Sequence, residues 1–332
     1  MKKKKAIALL SGGLDSILAL KMVLDQGFEV IALNLKTPFY TPDSRDYPES
    51  VAERFGVPIK KIYGAENYVK IIKDPRYGYG KNMNPCIDCR IFLFSKAKEV
   101  MEEEGAHFIF TGEVLGERPM SQRKDAMNLI ERESGLKGRV LRPLSAKLLE
   151  PTVMEKEGIV DRNKLLDTKG RSRKPQLELA RRYQINDFLS PAGGCLLTDQ
   201  NFARRVKESF EHGEDSIRHI TLLKVGRHFR VPTGAKIIAG RDQKENETLM
   251  ELSLPHEPKF TADGYKSTYV LLLGEPSPKN QDLAARVCVR YCDRKGSQSL
   301  PVRIWLDSPF EFKSIEASPM DESLLSSFRI GG

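Results

Sequence analysis

Cysteine is scarce in this sequence. Five in 332 residues are too few and too spread to staple a chain of that length, which excludes a disulfide scaffold. Long apolar runs are missing as well. Nothing approaches the span of a bilayer, and the apolar stretch 6–10 after Met1-Lys2-Lys3-Lys4-Lys5 is too short for a signal-peptide core. The expectation is a cytoplasmic protein with no membrane partner. There is no internal repeat and no low-complexity tract. Acidic charge is the weaker sign: 45 Asp and Glu stand against 54 Lys and Arg, a formal net charge of +9. Such a surplus favours a polyanionic partner, because each neutralised phosphate releases counterions. What is present, 40% hydrophobic and 30% charged residues, describes a globular chain long enough for two domains.

The apolar run 6–10 breaks abruptly into Ser11-Gly12-Gly13-Leu14-Asp15-Ser16. This is the pattern of a buried strand that ends in an anion-cradling turn and restarts as a helix. Neither glycine carries a Cβ, so the backbone can approach a bulky anion. Ser11, Ser16 and the first N–H groups of the helix can donate to phosphate oxygens, and the helix dipole adds attraction. Asp15 is out of place beside an anion unless a metal, Mg2+, accompanies the phosphates. The Lys-Ser/Thr pair of the kinase-type loop is absent. The motif resembles the signature of the ATP pyrophosphatase family, whose members split ATP between the α and β phosphates to adenylate an oxygen. ATP and Mg2+ are the cofactors this implies.

Downstream, helices are expected at 17–24, 49–55 and 95–104, and strands at 28–35, 59–63 and 107–113, the last ending in Thr111-Gly112-Glu113. Alternating strands and helices imply an α/β fold, a parallel sheet with helices on both faces. Ligands gather at the carboxyl ends of such strands, so both glycine-ended strands should face one crevice. Residues 144–190 are highly charged and include Lys169-Gly170-Arg171-Ser172-Arg173-Lys174, followed by helices expected at 176–183 and 200–212. Beyond Gly213, β-like segments at 220–225, 229–231, 236–238, 268–273, 286–291 and 302–305 predict a smaller β-rich or α+β domain. The expected boundaries are 1–205 and 215–332.

The positions of the cysteines matter more than their number. Asn84-Pro85-Cys86-Ile87-Asp88-Cys89 sets two thiols three residues apart just before a helix, and Pro191-Ala192-Gly193-Gly194-Cys195 sets a third after a double glycine. Cys288 and Cys292 fall in an expected strand and read as ordinary small residues. A CxxC pair can bind zinc, exchange disulfides or ligate an iron–sulfur cluster. Structural zinc wants four ligands, and neither a second CxxC nor a close histidine pair is present. Three cysteines would leave one position of a [4Fe-4S] cluster open for sulfide. The alternative is persulfide chemistry, in which one cysteine carries the sulfur and another resolves it.

Together these motifs resemble the tRNA thiouridine synthetases. Ser11-Gly12-Gly13-Leu14-Asp15-Ser16 matches their pyrophosphatase loop. Thr111-Gly112-Glu113-Val114-Leu115-Gly116, with Ser121-Gln122, looks like the matching stretch of the 4-thiouridine synthetases, and Asn84-Pro85-Cys86 with Cys89 is similar to the motif of the 2-thiouridylases. Cys195 stands where those families keep their last catalytic cysteine. The fold implied is adenine nucleotide α-hydrolase-like over roughly the first 200 residues. The expected nucleotide contacts are Ser11, Gly12, Gly13, Asp15, Ser16, Leu35, Gly112 and Glu113, with the adenine base near 33–35. Asp15, Cys86, Cys89 and Cys195 are the expected catalytic residues, and the three cysteines the cluster ligands. The implied partners are tRNA and a sulfur donor, sulfide or a persulfide carrier, with a homodimer left open.

Arg118, Arg123 and Lys147 are candidates for phosphate or RNA contact, and the basic run 169–174 and the second domain for the RNA backbone. Neither an RNA-binding domain ahead of the loop nor a rhodanese domain is recognised. Lys236-Ile237-Ile238-Ala239-Gly240-Arg241 with Asn246 resembles instead an RNA-associated domain of fibronectin-binding and ribosome quality-control proteins. The competing readings are persulfide thiolation without a cluster and an ammonia-using adenylating synthetase.

Overall fold

The computed structural model describes residues 4–40, 47–188 and 195–331, which form two compact units, Met1–Leu196 and Leu197–Gly332. The first unit runs β1 (Lys5–Leu9), α1 (Leu14–Leu24), β2 (Glu29–Lys36), α2 (Tyr47–Arg54), β3 (Ile59–Tyr63), α3 (Glu66–Lys73), α4 (Cys86–Glu103), β4 (Phe108–Thr111), α5 (Lys124–Glu133), β5 (Val140–Leu141), α6 (Val153–Lys156) and α7 (Lys174–Arg182). Its strands lie in the order β3-β2-β1-β4-β5, all parallel. β1 is apolar at every position after Lys5 because both its faces are covered. Ala6 and Ala8 pack toward Ile17 and Leu18 of α1, while Ile7 and Leu9 pack toward Phe94 and Met101 of α4 and Ile130 of α5. The expected α/β sheet is therefore present. Strand order reverses between β1 and β4, and their carboxyl ends, Leu9 and Thr111, open on one switch-point crevice.

Three helices of this unit, α3, α5 and the short α6, were not anticipated, and α4 begins at Cys86, well before residue 95. Its buried Phe94, Ala97 and Met101 recur at helical spacing, and the chain carries that register back to Pro85, its N-cap. The CxxC thus forms the first turn of the helix instead of preceding it.

The second unit contains α8 (Gln200–Glu211), α9 (Ile217–Leu222), β6 (Arg227–Arg230), β7 (Lys236–Ala239), α10 (Gln243–Leu252), β8 (Lys259–Ala262), β9 (Val270–Leu273), α11 (Pro278–Arg290), β10 (Leu300–Trp305), β11 (Phe312–Ala317), α12 (Glu322–Phe328) and β12 (Arg329–Ile330). Its antiparallel sheet has the order β11-β10-β8-β9-β7-β6-β12. Period-2 alternation puts Ile237 and Leu272 against Leu283, Ala284 and Val287 of α11, and Ile238 and Leu271 against Leu222 and Leu249 on the other face.

Two expected strands are helices. The first half of segment 220–225 belongs to α9 and the rest is the turn after it; the helix is capped by the Ser216 hydroxyl accepting from the His219 N–H. Segment 286–291 belongs largely to α11, capped by Ser277 with Pro278 in its first turn. Capping and i, i+3, i+4 burial outweigh the β-branched composition that suggested strands. Cys288 is a buried core residue of α11, its thiol pushed up to about 12 by burial.

Candidate active site

The turn after β1 is built for close approach. Gly12 takes the left-handed conformation, φ +78°. Gly13 is the N-cap of α1 and carries no side-chain cap, so the first N–H groups of the helix meet no capping side chain. Ser16 Oγ donates to the Gly13 carbonyl at 2.8 Å, and Ser11 Oγ donates to Ser16 Oγ at 3.2 Å. A Cβ built on Gly13 would meet only Ser11 Oγ, at 3.5 Å. On Gly112 the same atom would collide with the peptide joining Asp15 and Ser16, the Asp15 carbonyl oxygen standing 2.5 Å away and two other backbone atoms nearer still. Gly112 is thus the surface on which the turn rests. Leu35 is buried near the end of β2, and its neighbour Asn34 donates to the Leu10 carbonyl at 2.7 Å, tying β2 to the start of the turn.

Asp15 is half-buried, and its Oδ1 is shielded from solvent and lacks a well-formed hydrogen bond. Burial pushes its carboxyl up, against the lowering effects of the Arg173 guanidinium, the Gln176 amide and the Arg118 guanidinium. Glu117 is pushed up by burial and by the Asp15 charge. Arg173 comes from the basic run, which is pinned beside the loop after β4: Leu115 pairs with Lys169, and the Gly170 N–H donates to the Leu115 carbonyl at 2.7 Å. Ser145 Oγ reinforces this by accepting from the Leu115 N–H at 2.9 Å and donating to the Thr168 carbonyl at 2.7 Å. Of the three other candidate cations, only Arg118 reaches the turn. Arg123 pairs with exposed Asp125, and Lys147 Nζ donates to the Asn163 carbonyl at 3.2 Å on the surface.

The thiols gather around two tyrosines. Tyr68 of α3 donates its hydroxyl to Cys89 Sγ at 3.0 Å. Tyr40 pairs through its backbone with Cys195. Both phenols are pushed up, first by burial and then by Cys89 and Cys195, which places these four groups within electrostatic reach of one another. The double glycine before Cys195 lies outside the described residues. Burial pushes the Cys86 and Cys89 thiols up; the Tyr68 hydroxyl and Arg90 oppose this at Cys89, and Arg90 and Arg118 at Cys86. Arg118 therefore lies within electrostatic reach of both Asp15 and Cys86.

Glu113, one residue beyond Gly112, is taken up by a buried chain of charges. Arg142 Nε donates to its Oε2 at 3.0 Å, Arg90 Nε lies 3.5 Å from its Oε1, and Arg142 also holds Glu131. This chain links the end of β4 to the CxxC helix.

Tyr40, Tyr68, Arg90, Arg142 and Gln176 escaped sequence reasoning. Only Arg90, directly after Cys89, offered a local signal. Among the described residues no three His, Cys, Asp or Glu side chains are gathered as a metal site. In chemistry the donor set of Cys86, Cys89 and Cys195 fits an iron–sulfur cluster, which takes soft thiolates. The buried, unpartnered Asp15 oxygen fits a divalent cation.

Residues 1–180, more than half of the chain, match the family described as Thiamine biosynthesis protein (ThiI). The chain belongs to the ThiI family. The ThiI match takes in the turn, the CxxC, Gly112 and Arg173, and ends before Cys195. Residues 226–329 match the NFACT protein RNA binding domain. A tRNA-specific 2-thiouridylase MnmA of Leptospira interrogans is 32% identical over 121 residues, 30% of this chain and 32% of that protein. A probable tRNA sulfurtransferase of Methanothermobacter thermautotrophicus is 29% identical over 144 residues, 42% of this chain and 36% of that protein. The chain thus spans about a third of the length of these relatives. Among solved structures, a 4-thiouridine synthetase–RNA complex with bound ATP aligns at 20% identity and a TM-score of 0.36, over 55% of this chain and 52% of that one.

Proposed function

We propose that this protein is an ATP-dependent tRNA thiolase that adenylates a uridine oxygen and replaces it with sulfur. The observation that carries this reading is that one unit holds an uncapped glycine turn and three thiols, with Arg118 in electrostatic reach of Asp15 and Cys86, Arg90 paired with Glu113, and Cys89 and Cys195 in reach of the same two tyrosines. ATP lies with its phosphates on the 11–16 turn, where open space over Gly13 and the α1 N–H groups receive them. Asp15, with Glu117 beside it, would hold Mg2+ against those phosphates. A uridine oxygen attacks the α-phosphorus, the bond to the bridging oxygen breaks, and pyrophosphate leaves. Arg118 and Arg173 offset the charge that builds on the phosphate. Sulfur then adds at the activated carbon and AMP departs with the original oxygen. Both relatives described above carry names that assign them sulfur transfer to tRNA, and the RNA-binding match suits a polyanionic substrate.

Cys86, Cys89 and Cys195 would hold a [4Fe-4S] cluster, which would supply a site for inorganic sulfide. A second reading is persulfide transfer. It is favoured by the Tyr68 hydroxyl on Cys89 and by Arg90, which stabilise anionic sulfur without a metal. There, a neighbouring thiol closes a disulfide as the sulfur leaves, and a thiol reductant restores the pair. An ammonia-using synthetase has no use for three thiols.

Nucleoside mass spectrometry of tRNA from a deletion strain tests the reading: one thiouridine should vanish and return with the wild-type gene. Undiminished thiouridine in strains carrying Asp15→Ala or Cys195→Ala would remove it. Anaerobic purification separates the two sulfur routes. Stoichiometric iron and acid-labile sulfide support the cluster, whereas iron-free protein that still thiolates tRNA supports the persulfide.

A further inference from the structure

Three arginines of the second unit converge on the segment 223–229 from three elements. Arg205 of α8 donates from Nη1 to the Leu223 carbonyl at 3.1 Å. Arg241, just after β7, is held there by Glu245, whose carboxylate accepts from the Arg241 N–H at 2.9 Å, from Arg241 Nε at 2.9 Å, and from the Gly226 N–H at 3.1 Å. Arg329 opens β12 and pairs with Phe229 of β6. The end of β12 lies directly on α8: a Cβ on Gly331 would stand 2.6 Å from the Asn201 carbonyl and 3.1 Å from Arg205 Cγ. The motif Gly240-Arg241 with Asn246 also finds its purpose here. Asn246 Oδ1 fills the place a side chain at residue 240 would need and accepts from the Tyr269 N–H at 3.0 Å, fixing the bend that projects Arg241.

The balance of charge in this cluster is unusual for a purely structural one. Glu245 is consumed by Arg241 and Gly226, and Asp199 caps α8 by accepting from the Phe202 N–H. Among the described residues neither Arg205 nor Arg329 makes an ion pair, and Arg205 Nε is buried with no hydrogen-bond partner. Arg241 and Arg329 are exposed at the rim, while Arg205 is half-buried behind them. Burial, then Arg241, then Arg329 push the Arg205 guanidinium down, outweighing Glu245 and Asp199. Like charges held this close repel, and an anion between them relieves the repulsion. Guanidinium groups presenting fixed forks of N–H donors suit phosphate oxygens in particular.

We propose that Arg205, Arg241 and Arg329 form a binding site for phosphate groups of an RNA backbone, with Arg329 and Arg241 reaching the phosphates and Arg205 supplying the charge behind them. This rests on the tRNA reading above. The site specifies no base; it fixes where the RNA backbone crosses the second unit.

The test uses the full chain and an unmodified tRNA transcript, with affinity measured by fluorescence anisotropy across a salt series. Arg329→Gln and Arg205→Gln should each weaken binding at least fivefold and flatten the log–log salt slope by about 0.7–0.9 for each phosphate no longer neutralised. Arg132→Gln, a paired surface arginine of the first unit, should leave the slope unchanged. Arg329→Gln should also leave thermal stability unchanged or raise it, because it removes repulsion, whereas replacing a purely structural arginine would lower it. Unaltered tRNA affinity in both variants, with wild-type protein binding normally, overturns the site and leaves the tRNA reading standing. Wild-type protein that binds inorganic pyrophosphate here but no tRNA overturns the RNA assignment as well.

Discussion

Two glycines of the crevice should respond to alanine in opposite ways, and the reason is geometric. At Gly112 the added Cβ stands 2.5 Å from the Asp15 carbonyl oxygen, with two other backbone atoms nearer, and ordinary contact begins at 3.4 Å, so the turn must retreat by at least about 0.9 Å. The obstacle is backbone on both sides and cannot swing away. Overpacking of this kind costs about 1–3 kcal/mol, which for a unit of this size lowers the melting temperature by roughly 2–4 °C per kcal/mol. A displacement near 1 Å in a positioning element costs on the order of 100-fold in rate. At Gly13 the φ of −73° suits alanine and the Cβ meets only Ser11 Oγ at 3.5 Å. The N-cap preference against alanine and the entropy removed from the unfolded chain, each about 0.5–1 kcal/mol, nearly cancel. Gly13→Ala should therefore melt as wild type yet bind ATP poorly, because its methyl group fills the space the phosphates need. Calorimetry of the full chain and titration with a non-hydrolysable ATP analogue check both variants. Gly112→Ala with wild-type stability and affinity would refute the packing argument, and Gly13→Ala with wild-type affinity would refute the placement of the phosphates.

Other outcomes follow from the charges and thiols. Arg142→Met leaves Glu131 buried without its cation and Glu113 with Arg90 alone, and should destabilise by about 3–5 kcal/mol, read as a large drop in the first unit's melting temperature. Glu214 is held down to about 2 by Arg230 and Lys236 against the opposing effect of burial. Its folded value lies below its unfolded one, so its contribution is complete above the ordinary glutamate range. As the pH falls from about 5 to 2 that contribution, roughly 3 kcal/mol, disappears. Melting curves between pH 7 and 3 should fall steeply for wild type and less so for Glu214→Gln, which is already weakened at neutral pH. Tyr68→Phe removes the hydroxyl that favours the Cys89 thiolate, so alkylation of Cys89 at pH 7, followed by mass spectrometry, should slow several-fold. An unchanged rate would mean that the hydroxyl does not act on the reactive form.

The first unit was legible where local rules and the fold agree. Residues 6–16 must be strand, turn and helix, since an apolar run closed by two glycines has few other uses, and the cysteine spacing survives any packing. The misreadings came where composition and capping conflict. Val287 and Val289 suggest a strand, but Ser277-Pro278 starts a helix whose apolar face then finds a sheet. Glu113 was an expected nucleotide contact through the resemblance carried by Thr111-Gly112-Glu113, and its ion pairs are what that motif does not show. Nothing in its neighbours announces Arg142 or Arg90, which arrive from β5 and α4. Arg173 reads as one cation in a solvated run until Leu115 pairs with Lys169 and carries it to Asp15.

The sequence by itself determined the chemistry on offer: a backbone that tolerates phosphate at 11–16, three thiols, and a surplus of positive charge for a polyanion. Only the tertiary structure decided which of those groups meet. Spacing along the chain controls neighbours on one element, whereas the electrostatics of a site depend on charges brought from distant elements into a medium of low dielectric. There, a single arginine such as Arg118 can act on Asp15 of the turn and on the Cys86 thiol at once.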